Sequence, residues 1–157
     1  MRKLLEFFKR EHVEYQLYEH VPVYTSEQAS KVRGVELKTG VKSLVLKTDD
    51  GQFLLSDIAA DGKVDLKKLQ ALAKTSRIHF ATREEVLSVT HCEPGSVHPF
   101  GSLFGIPTYL DRSVLQNEFV NFNIGVLTRS VRIKKDDLVR TLDATQGDFA
   151  KRDGGRV

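Results

Sequence analysis

The segment at residues 95–101, GSVHPFG, combines residue types that suit neither a helix nor a regular strand. Pro99 has no amide hydrogen and biases His98 toward extended geometry, while Gly95 and Gly101 can adopt positive φ or admit another molecule close to the backbone. Composition alone favours a surface turn. The alternative is a loop whose amide groups face the oxygen atoms of a ligand.

Lys42 is a second candidate, because it stands at the entrance of the strongly apolar run SLVLK. A lysine at the mouth of a buried strand usually extends its ammonium group into solvent. The alternative is a cation held over a pocket and directed at a phosphate or a carboxylate. The sequence pattern by itself favours the solvated lysine.

Signatures of several other chemistries are absent from the sequence. There is no phosphate-binding loop, dinucleotide fingerprint, Gly-x-Ser-x-Gly or His-x-x-x-His pair. The histidines are scattered along the chain: His12, His20, His79, His91 and His98. Cys92 is the only cysteine, which excludes a disulfide within the chain, and adjacent residues such as His91 and Cys92 point apart. We therefore expect no metal and no cofactor, and the opposite directions of His91 and Cys92 argue against a nucleophilic pair of these two residues.

Composition indicates a cytoplasmic globular protein. The chain has 157 residues, a net charge of +3 and a pI near 9.0, without a dense block of lysine and arginine. This argues against a large nonspecific nucleic-acid surface but allows a small basic patch that receives one end of an RNA. No apolar run approaches a membrane span, and the charged N-terminus predicts an amphipathic helix instead of a signal peptide.

Hydrophobic periodicity and turn residues predict a single α+β domain with a mixed sheet, because hairpins and helices alternate along the chain. Asp50-Gly51 predicts a hairpin between two apolar runs, which should be covered on both faces. Five helices are expected within residues 1–15, 25–34, 64–74, 82–91 and 136–142. The expected N-caps are Thr25 or Ser26, Asp65, Thr82 and Asp136, with Gly34 ending the second helix. The tail from about residue 148 to residue 157 is expected to fray.

Four blocks of the sequence, in order, resemble the YbaK/ProX aminoacyl-tRNA editing-domain family. They are GVKSLVLKTDDGQFLLSDIAADGKVDLKKL, EPGSVHPFG, IPTYLD and RSVRIKKDDLVRTL, and the similarity runs from roughly Glu19 to Leu142. The resemblance implies a small domain with a strongly curved mixed sheet flanked by helices. It also implies hydrolysis of the ester in a tRNA that carries the wrong amino acid, by a free-standing protein associated with prolyl-tRNA synthetase.

The resemblance also implies site residues. Lys42 falls on the family's essential lysine, which holds the terminal phosphate region of the tRNA. Gly95 and Pro99 fall on the Gly-x-x-x-Pro loop, whose backbone holds the aminoacyl carbonyl region. The implied substrate-binding residues are Tyr24, Thr25, Ser96, Val97, His98, Phe100, Gly101 and Asn123. On the helix that follows Tyr24, Thr25 and Ser26 could alternatively serve only as caps, and Lys31 and Arg33 could meet the acceptor stem or simply be solvated.

Two positions depart from the family pattern. Many prolyl-type members have a His-Pro pair where this chain has Phe122-Asn123, and small residues are frequent at the position of His98. We therefore do not assign the amino-acid specificity of any one subgroup to this chain. A small pocket would admit alanine, serine, threonine or cysteine and exclude larger residues.

The missing catalytic side chains are compatible with this chemistry. The ester is already activated, so positioning and preorganised backbone amides can accelerate its hydrolysis, with attack by water or by a substrate hydroxyl or thiol. The expected partners are the acceptor end of aminoacyl-tRNA and an aminoacyl-tRNA synthetase. Two alternatives remain: a catalytically silent module that binds tRNA, a nucleotide or a synthetase, and a small enzyme that uses Cys92 and a histidine.

Overall fold

A computed structural model describes residues 1–22, 25–34 and 36–152, and within these residues helices and strands alternate. The helices are α1 (Arg2–Arg10), α2 (Ser26–Arg33), α3 (Leu66–Ala73), α4 (Arg83–Thr90) and α5 (Lys135–Thr141). The strands are β1 (Gln16–Glu19), β2 (Val41–Thr48), β3 (Phe53–Ala59), β4 (Gly62–Val64), β5 (Ile78–Phe80), β6 (Thr108–Asp111), β7 (Phe119–Asn123), β8 (Arg129–Lys134), β9 (Ala144–Gly147) and β10 (Ala150–Arg152). Short 3-10 helices cover Leu37–Thr39, Gly101–Phe104 and Arg112–Gln116. Among the helices just given, none combines the length and apolar character needed to cross a membrane.

The strands form a mixed sheet and two smaller antiparallel sheets. The mixed sheet has the order β5-β2-β3-β6-β9, in which β6 runs parallel to β3 and to β9. A second sheet has the order β1-β8-β7, and β10 pairs with β4. The prediction of an α+β domain with a mixed sheet is therefore confirmed.

The predicted hairpin joins β2 and β3. The N–H of Thr48 donates to the carbonyl of Gln52 at 2.8 Å, and Gly51 supplies the positive φ of the turn. Residues 54–59 of β3 are buried, as expected for a covered strand. The same expectation is wrong for the first half of β2, where residues 42–44 are only half-buried. The reason is that β5 pairs only with Leu46–Thr48 and leaves the rest of this edge open.

The largest apolar cluster packs α1 against the three-stranded sheet and against residues 95–101, the glycine–proline loop. Phe100 lies at its centre, with its ring centroid 5.6 Å from that of Phe8 and 6.0 Å from that of Phe122. Burial of a phenylalanine side chain stabilises a fold by about 1.5–3 kcal/mol. The core therefore anchors the segment that sequence analysis singled out.

The helix starts follow the predicted caps with one exception. Thr25, Asp65 and Thr82 each accept a hydrogen bond from the backbone N–H three residues later, and Thr82 and Glu85 form a reciprocal capping box. The prediction of Asp136 as a cap is wrong, because α5 begins at Lys135 with Lys134 at the N-cap. Asp136 instead lies in the first turn, where a carboxylate interacts favourably with the helix dipole.

The expectation of a frayed tail is wrong for residues 148–152. Phe149 is fully buried, and the backbone N–H groups of Phe149 and Ala150 donate to Asp111 Oδ1 at 2.7 and 3.0 Å. The strand β10 then pairs with β4. Residues 153–157 lie outside the described residues.

Candidate active site

A cavity of about 380 Å³ opens beside the unpaired edge of β2. Its walls come from α2, β2, α4, the glycine–proline segment and the end of β7. The cavity brings together residues that are far apart in the sequence but that sequence analysis had singled out: Thr25, Lys42, Gly95, Val97 and Asn123.

Lys42 is half-buried in the cavity wall. Within residues 1–22, 25–34 and 36–152, its ammonium group has no hydrogen-bond or ion-pair partner. Lys47, farther along the same strand, differs in this respect because its Nζ lies 2.6 Å from Glu85 Oε2. The cavity therefore contains a cation that remains available for an anionic ligand.

The backbone of β2 also contributes polar groups to the cavity edge. The N–H of Thr48 points toward β3, whereas the carbonyl of Val45 accepts from the N–H of Ala81 at 3.0 Å on the opposite side. Because the direction of these groups alternates along an antiparallel strand, the N–H and C=O of Ser43 point away from β3. They face the open edge, where Ser43 lines the cavity.

The glycine–proline loop begins with a tight turn. The N–H of Ser96 donates to the carbonyl of Glu93 at 2.9 Å, and Gly95 has a φ of 91°. Among the described residues, no acceptor pairs with the backbone N–H of Gly95 or Val97, both of which line the cavity. These amides can bind the oxygen atoms of a ligand.

Hydrogen bonds from the β7–β8 region hold this loop. Asn123 Nδ2 donates to the carbonyl of Gly95 at 3.1 Å, and the N–H of Gly125 donates to the carbonyl of Ser96 at 2.8 Å. The Ser96 hydroxyl is itself bonded to the carbonyl of Glu93 at 2.6 Å. Ser96 and Asn123 therefore help to fix the shape of the loop.

The remaining predicted residues of the loop form a buried support behind it. His98 is 4% exposed, its Nδ1 accepts from the N–H of Phe100 at 3.2 Å, and its ring stacks on Phe104 with centroids 4.4 Å apart. Burial lowers the pKa of His98 to about 3, so the ring is neutral at pH 7. Pro99 and Gly101 are also buried, and a Cβ on Gly101 would lie 2.0 Å from Thr108 Oγ1.

Among the residues of the cavity wall that sequence analysis missed are Ser43, Phe80 and Val86. Phe80 is 52% exposed although it ends a strand, and an apolar residue in a strand is normally interpreted as core. Proximity to Lys42 was the only available signal for Ser43. Tyr24, the remaining predicted binding residue, lies outside the described residues.

The described residues include no cluster of three histidine, cysteine, aspartate or glutamate side chains suited to a metal. Cys92 is 3% exposed, and burial raises the pKa of its thiol. The neighbouring His91 is exposed at the end of α4 with a φ of 57°. A buried thiol with a raised pKa is a poor nucleophile, which argues against the cysteine–histidine alternative.

Comparison with known proteins places this geometry in a family. The multifunctional Ser/Thr-tRNA deacylase ProXp-y of Escherichia coli K12 is 29% identical over 143 residues, which cover 88% of this chain and 86% of that protein. The prolyl-tRNA editing protein ProX of Acetoanaerobium sticklandii is 28% identical over 142 residues, 87% of each chain. The crystal structure of hypothetical protein APE2540 shares the fold, with a TM-score of 0.87 and 23% identity over 95% of this chain and 99% of that one. Residues 20–141 match the model of the aminoacyl-tRNA editing domain, and the chain belongs to that family.

Proposed function

We propose that this protein is a trans-editing hydrolase that cleaves the ester of a mischarged tRNA carrying alanine, serine, threonine or cysteine. As a member of the editing-domain family, the chain is a hydrolase that acts on aminoacyl-tRNA. One observation supports the proposal above all: Lys42, which has no described partner, lines the same cavity as the unpaired backbone N–H groups of Gly95 and Val97. In the reaction, water adds to the ester and yields a free amino acid and a tRNA with a free terminal hydroxyl.

The size of the cavity supports a small amino acid. Its volume of about 380 Å³ lies near the lower end of the usual range for small-molecule sites. Val45 and Val86 give part of the wall an apolar surface. Such a pocket separates similar small residues poorly, but it excludes larger residues by their volume.

In this proposal, Lys42 binds the phosphate next to the terminal adenosine. A lysine ammonium is a compact point charge that suits a phosphate oxygen without demanding bidentate geometry. Because no described carboxylate neutralises it, Lys42 can bind the acceptor end without first breaking an ion pair.

The amides of Gly95 and Val97 stabilise the charge that develops on the ester carbonyl oxygen. Backbone donors are already oriented before the substrate arrives, which makes them effective in the transition state. In the simplest case a bound water attacks the ester. If the adjacent substrate hydroxyl attacks instead, the acyl group moves to that oxygen and water then hydrolyses the new ester. If a cysteinyl thiol attacks, the tRNA leaves and water opens the resulting thiolactone. His98 has no base role here, because it is buried behind the loop with a pKa of about 3.

The test is deacylation of a panel of mischarged tRNAs, Ala-tRNA(Pro), Cys-tRNA(Pro), Ser-tRNA and Thr-tRNA, by wild type and Lys42→Ala. We expect wild type to hydrolyse one or two species and Lys42→Ala to lose about 10–10²-fold in kcat/KM, the usual cost of one hydrogen bond to a charged group. Lys42→Arg tests whether charge alone suffices, and Lys67→Ala, on the exposed side of α3, is the matched control.

Two outcomes would contradict the proposal. An unchanged rate of hydrolysis in Lys42→Ala would show that Lys42 has no role in the reaction. Tight tRNA binding without turnover of any ester would favour a catalytically silent binding module. A pull-down with prolyl-tRNA synthetase would test the proposed synthetase association, and cell fractionation would test the proposed cytoplasmic location.

A further inference from the structure

Phe80, the last residue of β5, places an exposed aromatic ring on the wall of the candidate active site. The residue is 52% exposed and belongs to none of the buried apolar clusters. Within residues 1–22, 25–34 and 36–152, neither a second ring nor a cation stacks on it. A single exposed apolar side chain is common on protein surfaces, so its meaning depends on what lies beside it.

The pairing of β5 with β2 determines the face of the sheet on which Phe80 lies. Phe80 is directly opposite Leu46, and opposed residues of an antiparallel pair project from the same face. Because side chains alternate along a strand, Lys42 and Leu44 also lie on the Leu46 face. Leu44 and Leu46 belong to one apolar cluster, as this placement requires. A cation, an apolar side chain and an aromatic ring therefore share one face beside the open edge of β2.

The opposite face of β2 carries a different set of side chains. Val45 packs there with Val97 of the glycine–proline loop and with Val86 of α4. These three valines line the cavity, as do Lys42 and Phe80 on the other face. The cavity therefore extends around the open edge of β2, with an apolar pocket on one face and the pair of Lys42 and Phe80 on the other.

The spacing of Lys42 and Phe80 suits a single nucleotide. Lys42 is four residues from Leu46, the partner of Phe80, which corresponds to roughly 14 Å of strand. Both side chains are long enough to cover part of this distance. The N–H of Ala81 donates to the carbonyl of Val45 at 3.0 Å, and the edge is open from there to Lys42. A nucleotide whose phosphate contacts Lys42 can therefore place its base against Phe80.

We propose that Phe80 is a binding residue on which the terminal adenine of the tRNA acceptor end stacks, on the face of β2 that carries Lys42. This inference rests on the proposed function, in which Lys42 binds the phosphate of the same nucleotide. Aromatic side chains are the usual platforms for unpaired bases, because every base has a π face. From this position the ester crosses the open edge of β2 and reaches the amides of Gly95 and Val97.

The first test measures RNA binding without catalysis. Two 5′-labelled RNA hairpins that end in single-stranded CCA are compared by fluorescence anisotropy at one low salt concentration. One hairpin is complete, and the other lacks the base of its terminal nucleotide. Phe80→Ala removes the ring, Phe80→Leu keeps an apolar side chain, and Phe80→Tyr keeps a ring. Leu87→Ala is the matched control, because Leu87 is also 52% exposed but does not line the cavity.

We expect wild type to bind the complete RNA about 5- to 100-fold more tightly than the RNA without the terminal base, the usual contribution of one stacked base. Phe80→Ala and Phe80→Leu should lose most of this preference by binding the complete RNA more weakly. Phe80→Tyr and Leu87→Ala should keep it. Equal binding of the two RNAs by wild type would overturn the proposal, as would an unchanged preference in Phe80→Ala or in Phe80→Leu.

Deacylation provides a second measurement and separates this inference from the proposed function. Stacking on the terminal base is the same in the ground state and in the transition state, so Phe80→Ala should raise KM and leave kcat nearly unchanged. A lower kcat with an unchanged KM would contradict a binding role. If wild type hydrolyses no mischarged tRNA, the proposed function fails, while the comparison of the two RNAs still decides whether Phe80 binds the terminal base.

Discussion

Ser43 and Asp57 face each other across the β2–β3 ladder, and neither side chain makes a hydrogen bond of normal geometry within the part of the chain that the structure describes. Ser43 belongs to the cavity wall, whereas Asp57 is fully buried directly beside it. Burial raises the pKa of the Asp57 carboxyl well above its ordinary value, and the facing Ser43 hydroxyl lowers it only in part. A carboxyl group that favours its neutral form therefore lies next to the proposed active site.

Replacement of Asp57 by asparagine should stabilise the protein at neutral pH. The folded state retains a proton that the unfolded state releases above its ordinary pKa of 3.8, so wild-type stability falls as the pH rises from that value toward the raised pKa. Asp57→Asn removes this loss and should raise the free energy of unfolding at pH 7.5 by about 1.4 kcal/mol for each pH unit over which the folded wild type keeps a proton that the unfolded chain releases. Urea unfolding at pH 4.5, 6.0 and 7.5 measures the difference, which should shrink toward acid pH.

Asp61→Asn is the matched control for this series, because Asp61 is exposed in the turn after β3. It should change stability little at any of the three pH values. An Asp57→Asn protein that is less stable than wild type at pH 7.5 would show that the ionised carboxylate is favourably bound, contrary to this interpretation.

Glu85, unlike Asp57, should stabilise the folded state more at neutral pH than in acid. The Lys47 ammonium, 2.6 Å away, and the N–H of Thr82 lower the pKa of Glu85 to about 2. The resulting stabilisation is fully present above the ordinary pKa of 4.5 and is lost as the pH falls toward 2. Glu85→Gln should therefore be less stable than wild type at pH 7 and should lose less stability between pH 5 and 2, as measured by acid-induced unfolding.

Glu84→Gln provides the comparison in the same helical turn, because Glu84 is exposed. Its acid unfolding curve should match that of wild type more closely than the Glu85→Gln curve does. Parallel curves for all three proteins would mean that the Lys47–Glu85 pair has no net effect on stability.

The parts of the fold that were predictable from the sequence depend on short-range interactions. Asp50-Gly51 determined the hairpin, and Thr82 with Glu85 determined the start of α4 within four residues. The packing of the tail was not predictable in this way, because Asp111 binds the backbone of Phe149 across 38 positions. A polar, glycine-containing tail carries no local sign of such a distant acceptor.

The residues of the candidate site also divide into those with a local sequence signal and those that depend on contacts between distant parts of the chain. Lys42 and Gly95 were found because they occur in recognisable motifs, and the structure places both at one cavity. The contact between His20 and Ser130 spans 110 positions, and an isolated histidine and serine give no indication of pairing. Asp57 was missed because the sequence of an apolar strand does not show whether a buried carboxyl group in it has a hydrogen-bond partner.

Gly101 should not tolerate a side chain. A Cβ at this position would lie 2.0 Å from Thr108 Oγ1 and 3.0 Å from the carbonyl oxygen of Ile106. Gly101→Ala should therefore displace the glycine–proline loop and lower stability by about 1–3 kcal/mol, as overpacking typically does. Thermal unfolding and the deacylation rate measure the two effects.

Thr108→Ala tests the cause of the Gly101 effect, because it removes the oxygen in the closest contact. Combined with Gly101→Ala, it should recover part of the lost stability, although the contact with Ile106 remains. Thr108 Oγ1 has no hydrogen-bond partner in the described residues, so Thr108→Ala alone should cost little. Additive losses in the double variant would show that the steric explanation is wrong.

His98 should affect stability in acid without acting as a base at neutral pH. Its pKa is lowered to about 3 by burial, whereas the unfolded chain has an ordinary histidine pKa of 6.5. The unfolded state therefore binds a proton that the folded state does not, and stability falls as the pH drops from 6.5 toward 3. His98→Asn, whose side-chain oxygen can accept from the N–H of Phe100, should reduce this slope and leave the pH profile of deacylation unchanged between pH 6 and 8. Urea unfolding from pH 4 to 7 and the deacylation profile measure these effects, and loss of a basic step near neutral pH in His98→Asn would instead identify His98 as a catalytic base.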